Sequence, residues 1–373
     1  MRVLVTVGIF PPDIGGPATF VPKIAKYFQD ELNYEIEILT LSDGKNLNIK
    51  DDFNVKRIDR NLPIVYRWLK TIFTIYKLGR NKDLIFVNGL GTEATIANIL
   101  LKKKIIRKIV GDPVWERAYS KAKISESFDE FQTKKYGFSI SFQKKVRSFS
   151  IKKSDIVVTP SLHLKNFIQN LGFKNKIEII NNGVSIPKES AKIFTNARIN
   201  ITIVSRLVAH KNIEKIINAI SDLNNPPINL NIIGDGPELS QLQKISSESN
   251  NKDNIIFHGK LSRDDINHIF LRSDIYIQAS NYEGLPHSLL EAMSYGIPVL
   301  CTPVGECKEI LGNEERGYIL DLPVSKNNIR SKISEIISEK NIANKKGGAG
   351  KGFVSEKYNL TNSFNLYKNL FTR

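Results

Sequence analysis

Hydrophobic and polar positions follow one another along this chain in two recurring patterns. Short apolar runs such as Val3–Val7 are typical of buried strands, and stretches such as Ala18–Gln29, with apolar residues three and four positions apart, are typical of helices. Strands that alternate with helices imply parallel sheets covered by helices on both faces. Further strands are predicted at 35–40, 83–88, 105–110, 155–158, 177–180, 199–204, 230–233, 255–258, 274–278 and 298–301. Further helices are predicted at 92–103, 161–170, 212–223, 237–249, 264–271 and 288–295.

The alternation stops once and then restarts, which divides the chain into two predicted domains. Residues 185–197 are polar and show no periodicity, so they are predicted to be a linker. The fold class is therefore α/β, with doubly wound Rossmann-like domains at 1–184 and 185–352 that face each other across a cleft. The Gly-rich segment 345–350 is predicted as a second crossing, after which helix 353–373 would pack back on the first domain. Ligands of open α/β sheets bind at the carboxyl ends of strands, so we expect the chemistry in the loops beside the cleft.

Composition excludes several classes of protein. The chain has 373 residues, 41% hydrophobic and 25% charged, which fits a folded two-domain protein and not a disordered one. No apolar run approaches the roughly 18–20 residues of a membrane span. The opening run Val3–Phe10 leads into Pro11-Pro12 without a small-residue cleavage site, so it is predicted to be a strand and not a signal peptide. Cys301 and Cys307 are too few for a disulfide framework or a four-cysteine zinc site. We expect a cytoplasmic protein.

The positive charge is concentrated in one quarter of the chain. The net charge is +16, and residues 61–153 carry 20 basic and 7 acidic side chains. Such a block is either a solvated basic surface or an attractor of anions, which include acidic lipid head groups and nucleic acids.

Two stretches within this block combine cations with apolar residues at helical spacing. In 64–78 the apolar residues form one stripe, which fits a core-facing helix or, less commonly, a helix inserted partly at a membrane surface. In 134–153 phenylalanines alternate with lysines at the same kind of spacing. The stripe of the first stretch consists of Ile64, Val65, Trp68, Leu69, Ile72, Phe73 and Tyr76.

The loop after the predicted strand 199–204 carries two cations beside the start of a helix. Arg206 and Lys211 stand five positions apart, where exposed N–H groups and the positive end of the helix dipole also lie. This combination suits a diphosphate leaving group, whose negative charge grows in the transition state. For the pair alone, two solvated surface cations are an equally good interpretation.

Two carboxylates bracket a later strand-to-helix turn. Glu283 and Glu291 are eight residues apart, a spacing that can direct both acids into one pocket. The alternative is a turn-capping Glu283 and a helix-surface Glu291.

In the N-terminal half, Gly15 and Gly16 follow the first strand and let the backbone approach a phosphate or a sugar closely, although the GxGxxG pattern of dinucleotide sites is absent.

Taken together, these residues resemble glycosyltransferase family 4, the retaining nucleotide-sugar transferases of GT-B fold. The matching motifs occur in the order of the family and cover the second half of the chain, whereas the first half matches chiefly at Gly15-Gly16. The motifs in the second half are Asn182-Gly183-Val184, Ser205-Arg206-Leu207 with Lys211-Asn212, Ile233 to Pro237, Phe257-His258-Gly259, Glu283 to Pro286, Glu291-Ala292-Met293, Gly296 to Val299, and Val304-Gly305 with Glu309.

The resemblance implies a role for each matching position. Arg206 and Lys211 would bind the donor diphosphate and stabilise the leaving nucleotide, Glu283 would contact the donor sugar, and Glu291 would hold the ribose hydroxyls. Residues 259–261 would meet the base through their backbone. The donor-binding set implied in this way is Gly15, Gly16, Gly234, Gly259, Lys260, Leu261, Gly284, Leu285 and Glu291.

The sequence departs from the family at one position. Many members carry a histidine near the sugar at the end of an N-terminal strand, where this chain has Asp112. Asp112 could bond a sugar hydroxyl or act as a base toward the acceptor. It could also be a simple turn residue before Pro113.

The resemblance implies a retaining, metal-independent hexosyltransferase without a cofactor. A nucleoside diphosphate sugar, with UDP or GDP conjugates expected, would donate to a glycan or lipid-linked acceptor of cell-surface polysaccharide or glycolipid synthesis. Independently of the resemblance, the positive charge of residues 61–153 suggests that they dock the enzyme on the anionic inner face of the cell membrane. One alternative is a GT-B epimerase or phosphorylase. The other is a basic nucleic-acid-binding protein; the chain lacks the motifs of that class, so no nucleic-acid partner is expected.

Overall fold

The computed structural model describes residues 1–13, 15–44, 47, 52–120, 123–124, 126–195, 197–221, 223, 226–283 and 285–372. The chain forms two compact units. The first contains Met1–Asn181 together with Leu366–Arg373, and the second contains Asn182–Asn365.

The described part of the first unit contains a parallel sheet of seven strands flanked by helices. Its strands are β1 (Arg2–Val7), β2 (Glu35–Ser42), β3 (Asn54–Asp59), β4 (Leu84–Asn88), β5 (Lys104–Lys108), β6 (Ile156–Thr159) and β7 (Lys176–Ile179). Its helices are α1 (Gly16–Leu32), α2 (Ile64–Gly79), α3 (Gly91–Leu101), α4 (Pro113–Ser120), α5 (Phe128–Thr133), α6 (Phe138–Lys152) and α7 (Leu162–Asn170). The strand order is β3-β2-β1-β4-β5-β6-β7.

The second unit, over its described residues, has a parallel sheet of six strands. Its strands are β8 (Ile199–Val204), β9 (Ile228–Ile233), β10 (Ile255–Gly259), β11 (Ile275–Gln278), β12 (Val299–Cys301) and β13 (Tyr318–Ile319). Its helices are α8 (Ile213–Ile220), α9 (Leu239–Ser247), α10 (Arg263–Phe270), α11 (His287–Ser294), α12 (Cys307–Leu311), α13 (Lys326–Ser338) and α14 (Lys340–Lys357). The strand order is β10-β9-β8-β11-β12-β13.

Both sheets reverse their strand order at an equivalent place. The chain runs outward from β1 through β2 to β3 and then returns to place β4 on the other side of β1; β8, β9, β10 and β11 repeat this path. The prediction of two doubly wound parallel sheets is therefore confirmed. In each sheet the crevice for a ligand is expected at this reversal, between β1 and β4 and between β8 and β11.

The last described helix, α15 (Leu360–Phe371), begins in the second unit and ends in the first. Its final residues lie on the β1–β4 sheet, where the Phe371 ring packs 4.5 Å from that of Phe28 on α1. The Tyr367 ring lies 5.9 Å from that of Phe86 on β4. Residues 366–371 therefore complete one apolar face of the first unit.

The predicted crossing at 345–350 is wrong, because this Gly-rich segment lies inside α14. Ala343, Gly347, Gly350 and Val354 are buried at spacings of four, three and four, so small residues form the helix face that packs toward α11. A helix of this kind needs no large apolar residues, which explains why the hydrophobic pattern did not reveal it. The predicted single closing helix is likewise divided in two between Lys357 and Leu360.

Two neighbouring glycines of α14 should respond to alanine in opposite ways. A Cβ at Gly347 would overlap the backbone of Gly296, so we expect Gly347→Ala to lower the free energy of unfolding by about 2 kcal/mol. Gly348 is exposed and has nothing within 4 Å of the Cβ position, so Gly348→Ala should raise stability by about 0.5–1 kcal/mol through helix propensity. Urea denaturation of the two variants checks both signs, and equal stabilisation by both would contradict the packing described.

Only part of the predicted stripe of α2 faces the core. Ile72 and Tyr76 pack partly buried against it, next to the buried Ile75, whereas Val65 and Phe73 are exposed. Among the residues that the structure describes, no helix has both the length and the hydrophobicity needed to cross a bilayer.

Candidate active site

The loops that follow β8 and β11 meet at the strand-order reversal of the second unit. The buried Asn212 side chain donates through Nδ2 to Ala279 O at 2.7 Å and to Asn281 Oδ1 at 2.8 Å. In return, the Asn281 backbone N–H donates to His210 O at 2.7 Å. These bonds join the Arg206–Lys211 loop to the loop that leads to Glu283, so residues far apart in sequence share one site.

Two glycines after β9 let the loop after β8 pass at close range. A Cβ at Gly234, whose φ is +134°, would overlap the backbone oxygen of Ser205, and a Cβ at Gly236 would overlap that of Leu207. Leu207 is fully buried, and its N–H donates to Asp235 O at 3.0 Å. The two glycines therefore allow close backbone packing between the loop after β9 and the Arg206 loop.

Lys211 and Glu283 form an ion pair in the joined loops. Lys211 Nζ lies 2.5 Å from Glu283 Oε1, and the two side chains are 15% and 12% exposed. Ser280 Oγ donates to the same carboxylate oxygen at 2.6 Å. The ammonium group is therefore held in place before any substrate binds, at the mouth of the crevice between β8 and β11.

Arg206 adds a second positive charge to this group. Its side chain is exposed at the carboxyl end of β8. Burial lowers the pKa of His210, the charges of Lys211 and Arg206 lower it further, and Glu283 acts in the opposite direction. All three side chains therefore lie within electrostatic reach of one imidazole, which is neutral at physiological pH. Lys211 and Glu283 are in direct contact and Arg206 lies in the same loop as Lys211, while their roles toward a donor stay predictions.

Glu291 lies on α11, where its carboxylate is paired with Arg263. Its side chain is 14% exposed and that of Arg263, in the first turn of α10, is 44% exposed. Behind them the buried Tyr276 hydroxyl donates to Ser288 Oγ at 2.8 Å. Burial raises the pKa of Tyr276 well above its usual value, and Glu283 and Glu291 both contribute in the same direction. The two carboxylates thus flank one phenol that stays protonated.

Residues 259–261, which are predicted to meet the base, lie at the carboxyl end of β10, beside the loop that follows β9. Gly259 O accepts from the Gly234 N–H at 2.8 Å, and Lys260 Nζ lies 3.4 Å from Asp235 Oδ2. Leu261 and Leu285 are half-buried. The remaining predicted donor-binding residue of this unit, Gly284, lies outside the described residues.

Gly15 and Gly16 stand at the amino terminus of α1, in the first unit. Gly15 precedes the helix and Gly16 is its first residue. They follow β1 at the β1–β4 reversal, which is the equivalent position to that of Arg206 after β8. Their role toward a donor stays a prediction.

Asp112 is fully buried and holds structure together. Its Oδ1 accepts from the Val114 N–H at 3.0 Å, which caps the start of α4. Its Oδ2 accepts from Gln132 Nε2 at 3.0 Å and from the guanidinium of Arg147. These contacts favour the interpretation as a turn residue, extended by a buried ion pair, over a contact with sugar or acceptor.

The sequence did not reveal Arg263 or Ser280, which hold the two carboxylates. Arg263 follows Ser262, whose hydroxyl accepts from the Asp265 N–H at 3.2 Å, and this S-x-x-D helix start could have signalled a fixed position for Arg263. Asn182, in a motif noted for its resemblance, lies with Nδ2 3.1 Å from His287 Nε2. Within the described ranges, no three His, Cys, Asp or Glu side chains lie together in a way that could hold a metal ion.

Glu306, just before α12, gives the second unit a pH-dependent stability. Burial, and then the charge of Glu309, raises the pKa of Glu306 to about 7. An acid with a raised native pKa destabilises the fold as it ionises, so this cost grows as the pH rises from about 4.5 to 7. Because water still reaches the half-buried carboxyl, we expect Glu306→Gln to stabilise the protein by about 1 kcal/mol at pH 8 and by less at pH 5. Melting curves at both pH values check this, and an equal gain at both would contradict it.

Known proteins resemble this chain in sequence along much or all of its length. Residues 185–352 match the family model described as glycosyl transferases group 1. An uncharacterized glycosyltransferase of Methanocaldococcus jannaschii is 29% identical over 406 residues, which cover 100% of this chain and 98% of that protein. The O-antigen biosynthesis glycosyltransferase WbnH of Escherichia coli is 28% identical over 324 residues, 83% of this chain and 86% of that protein.

Solved structures share the whole fold. Sucrose-phosphate synthase from Thermosynechococcus elongatus superimposes with a TM-score of 0.79 at 16% identity, covering 100% of this chain and 99% of that one. HepE of Anabaena, solved with UDP and glucose, gives a TM-score of 0.78 at 16% identity over 100% and 99% of the two chains. Two doubly wound Rossmann-like units are the GT-B fold, which these solved structures share. Residues 185–352 match the domain of the group 1 glycosyltransferases, and the relative that matches over the whole chain is a glycosyltransferase.

Proposed function

We propose that the protein transfers a sugar from a nucleoside diphosphate sugar to an acceptor and retains the anomeric configuration. The observation that carries the proposal is the position of Arg206 and Lys211 at the carboxyl end of β8, beside the β8–β11 reversal. Two cations at such a crevice can neutralise the charge that grows on a diphosphate as its bond to the sugar breaks. The partial burial of Lys211 strengthens this effect, because less water screens its charge.

Glu283 and Glu291 would then bind different parts of the donor. Both contacts described for the Glu283 carboxylate go to Oε1, so we infer that Oε2 meets a sugar hydroxyl. Glu291 would hold the ribose hydroxyls, and residues 259–261 would meet the base. Glu283 is neutralised by Lys211 and so is a poor nucleophile, which fits front-face attack, in which the departing phosphate oxygen takes the acceptor proton. This route, as in family 4, requires neither a metal nor a cofactor.

The relatives suggest the kinds of donor and acceptor. HepE was solved with UDP and glucose, and the E. coli relative acts in O-antigen biosynthesis. We infer a UDP-sugar donor, with a GDP-sugar as the alternative, and a glycan or lipid-linked acceptor of surface polysaccharide synthesis.

Thermal shifts with UDP, GDP, ADP and CMP test the donor class. A nucleotide at a hundredfold excess over its Kd should stabilise the protein by about 2.7 kcal/mol. Incubation with sugar conjugates of the nucleotide that binds, followed by NMR of the product, then shows whether the anomeric configuration is retained. Conversion of the donor sugar without an acceptor would indicate an epimerase, and the lack of a shift with every nucleotide would overturn the donor assignment.

A further inference from the structure

Helix α2 turns an apolar stripe toward solvent. Val65, Leu69 and Phe73, spaced four residues apart, are 70%, 56% and 66% exposed. The helix contains no acidic residue, whereas Lys70 and Lys77 lie among its cations. A helix on a soluble surface normally shows polar residues there, so this stripe is a candidate contact surface.

Helix α6 has the same character. Phe138 and Phe142 are 87% and 56% exposed, and their rings stack with centroids 6.1 Å apart. Lys145 and Phe149, which is 47% exposed, continue this side of the helix. The sequence of α6 also lacks acidic residues.

The two helices lie on one side of the β1–β7 sheet. The connections through α2, α3 and α6 all advance in the same direction across the sheet, and right-handed crossovers place such helices on the same face. Helix α3 packs between the other two and adds Ile99 and Leu100, which are 57% and 74% exposed. We name the outward sides of α2, α3 and α6 the docking face.

We propose that the docking face binds an anionic lipid leaflet. Exposed aliphatic and aromatic side chains enter the boundary between head groups and acyl chains, while the surrounding lysines meet lipid phosphates. A second copy of this chain fits less well, because a symmetric interface would set these cations against one another. Nucleic acid would use the cations but would gain nothing from Val65, Leu69 or Leu100.

A cavity at the edge of this face supports a phosphate-bearing lipid. It has a volume of about 530 Å³ and lies beside Phe149, with Lys144, Lys145 and Lys152 among its lining residues. Lys144 Nζ already donates to the backbone oxygens of Phe131 and Gln132. The exposed Lys145 and Lys152 beside an exposed phenyl ring match a charged head group attached to an apolar chain. The site belongs to the first unit and requires no nucleotide.

Flotation of the full chain with lipid vesicles tests the proposal. We expect binding at low salt to vesicles of phosphatidylcholine with phosphatidylglycerol, and much weaker binding to phosphatidylcholine alone. The double variants Leu69→Ser/Phe73→Ser and Phe138→Ser/Phe142→Ser should each lose on the order of tenfold or more in partitioning. Ile342→Ser, which replaces a 48% exposed residue of α14, is the matched control and should bind like the wild type.

The contribution of charge is tested separately with the double variant Lys145→Gln/Lys152→Gln, which should bind anionic vesicles more weakly. Salt at about 1 M should also weaken binding, because the Debye length then falls to about 3 Å. Equal melting temperatures of all variants show that none acts by unfolding. The proposal is overturned if the wild type does not bind anionic vesicles at low salt, if the apolar variants bind as well as it does, or if they convert a dimer to a monomer in light scattering. The assay contains no nucleotide, so its result is independent of the donor assignment.

Discussion

Replacing Lys211 by alanine is expected to lower kcat/KM for sugar transfer on the order of 10²–10³-fold. The ammonium group stands within a joined pair of loops at the β8–β11 reversal, where a preorganised charge stabilises the leaving diphosphate without reorganisation. The same change removes the charge partner of Glu283, whose side chain is 12% exposed, and should cost about 1–3 kcal/mol of stability.

A double variant separates the two effects. In Lys211→Ala/Glu283→Gln the carboxylate charge disappears together with its partner, so stability should recover in part while activity stays low. Lys244→Ala on α9 changes an exposed lysine of the same unit and should leave both quantities unchanged. The measurements are urea denaturation and the rate of nucleoside diphosphate release. Activity of Lys211→Ala within about tenfold of wild type would argue against a diphosphate-binding role.

Replacing Asp112 by alanine is expected to destabilise the protein by about 3–5 kcal/mol and to leave kcat of the folded enzyme close to that of the wild type. The fully buried carboxylate neutralises Arg147 and caps α4. Its loss therefore leaves the buried guanidinium of Arg147 without an ion-pair partner. Removing both charges in Asp112→Ala/Arg147→Met should restore much of the stability.

A second aspartate provides the control for this result. Asp129 pairs with His163 at 2.8 Å, but its side chain is 77% exposed, so Asp129→Ala should cost less than about 0.5 kcal/mol. Denaturation curves and kcat measured well below the melting temperature distinguish the two roles of Asp112. A large loss of kcat with unchanged stability would instead indicate a base or a sugar ligand.

The hydrophobic pattern predicted the architecture because parallel strands buried on both faces are almost purely apolar. Strand β3 escaped prediction because Lys56 and Arg57 interrupt its pattern. Arg57 is nevertheless buried, and its guanidinium donates to Ser42 Oγ and to Pro11 O, both at 2.8 Å. A polar residue that is buried through tertiary hydrogen bonds leaves no trace in a pattern of apolar positions.

Prediction of the site was limited for a similar reason. Arg206, Lys211, Glu283 and Glu291 could be named from their places at strand ends, because strand order determines which loops come together. The partners could not be named. The pairing of Glu291 with Arg263 depends on how α10 and α11 lie beside the sheet, and the burial of Asp112 depends on α6, which supplies Arg147 from 35 residues away.

The position of α15 has a consequence for synthesis of the protein. The aromatic face formed by Phe28 and Phe86 receives its cover from Tyr367 and Phe371. A ribosome makes about 5–20 residues per second, so roughly ten to forty seconds separate the emergence of residue 181 from that of residue 371. During that interval the nascent first unit exposes aromatic surface while the second unit is being made. We therefore expect the growing chain to need chaperone protection, and a fragment ending at residue 181 to be insoluble unless residues 366–372 are supplied with it.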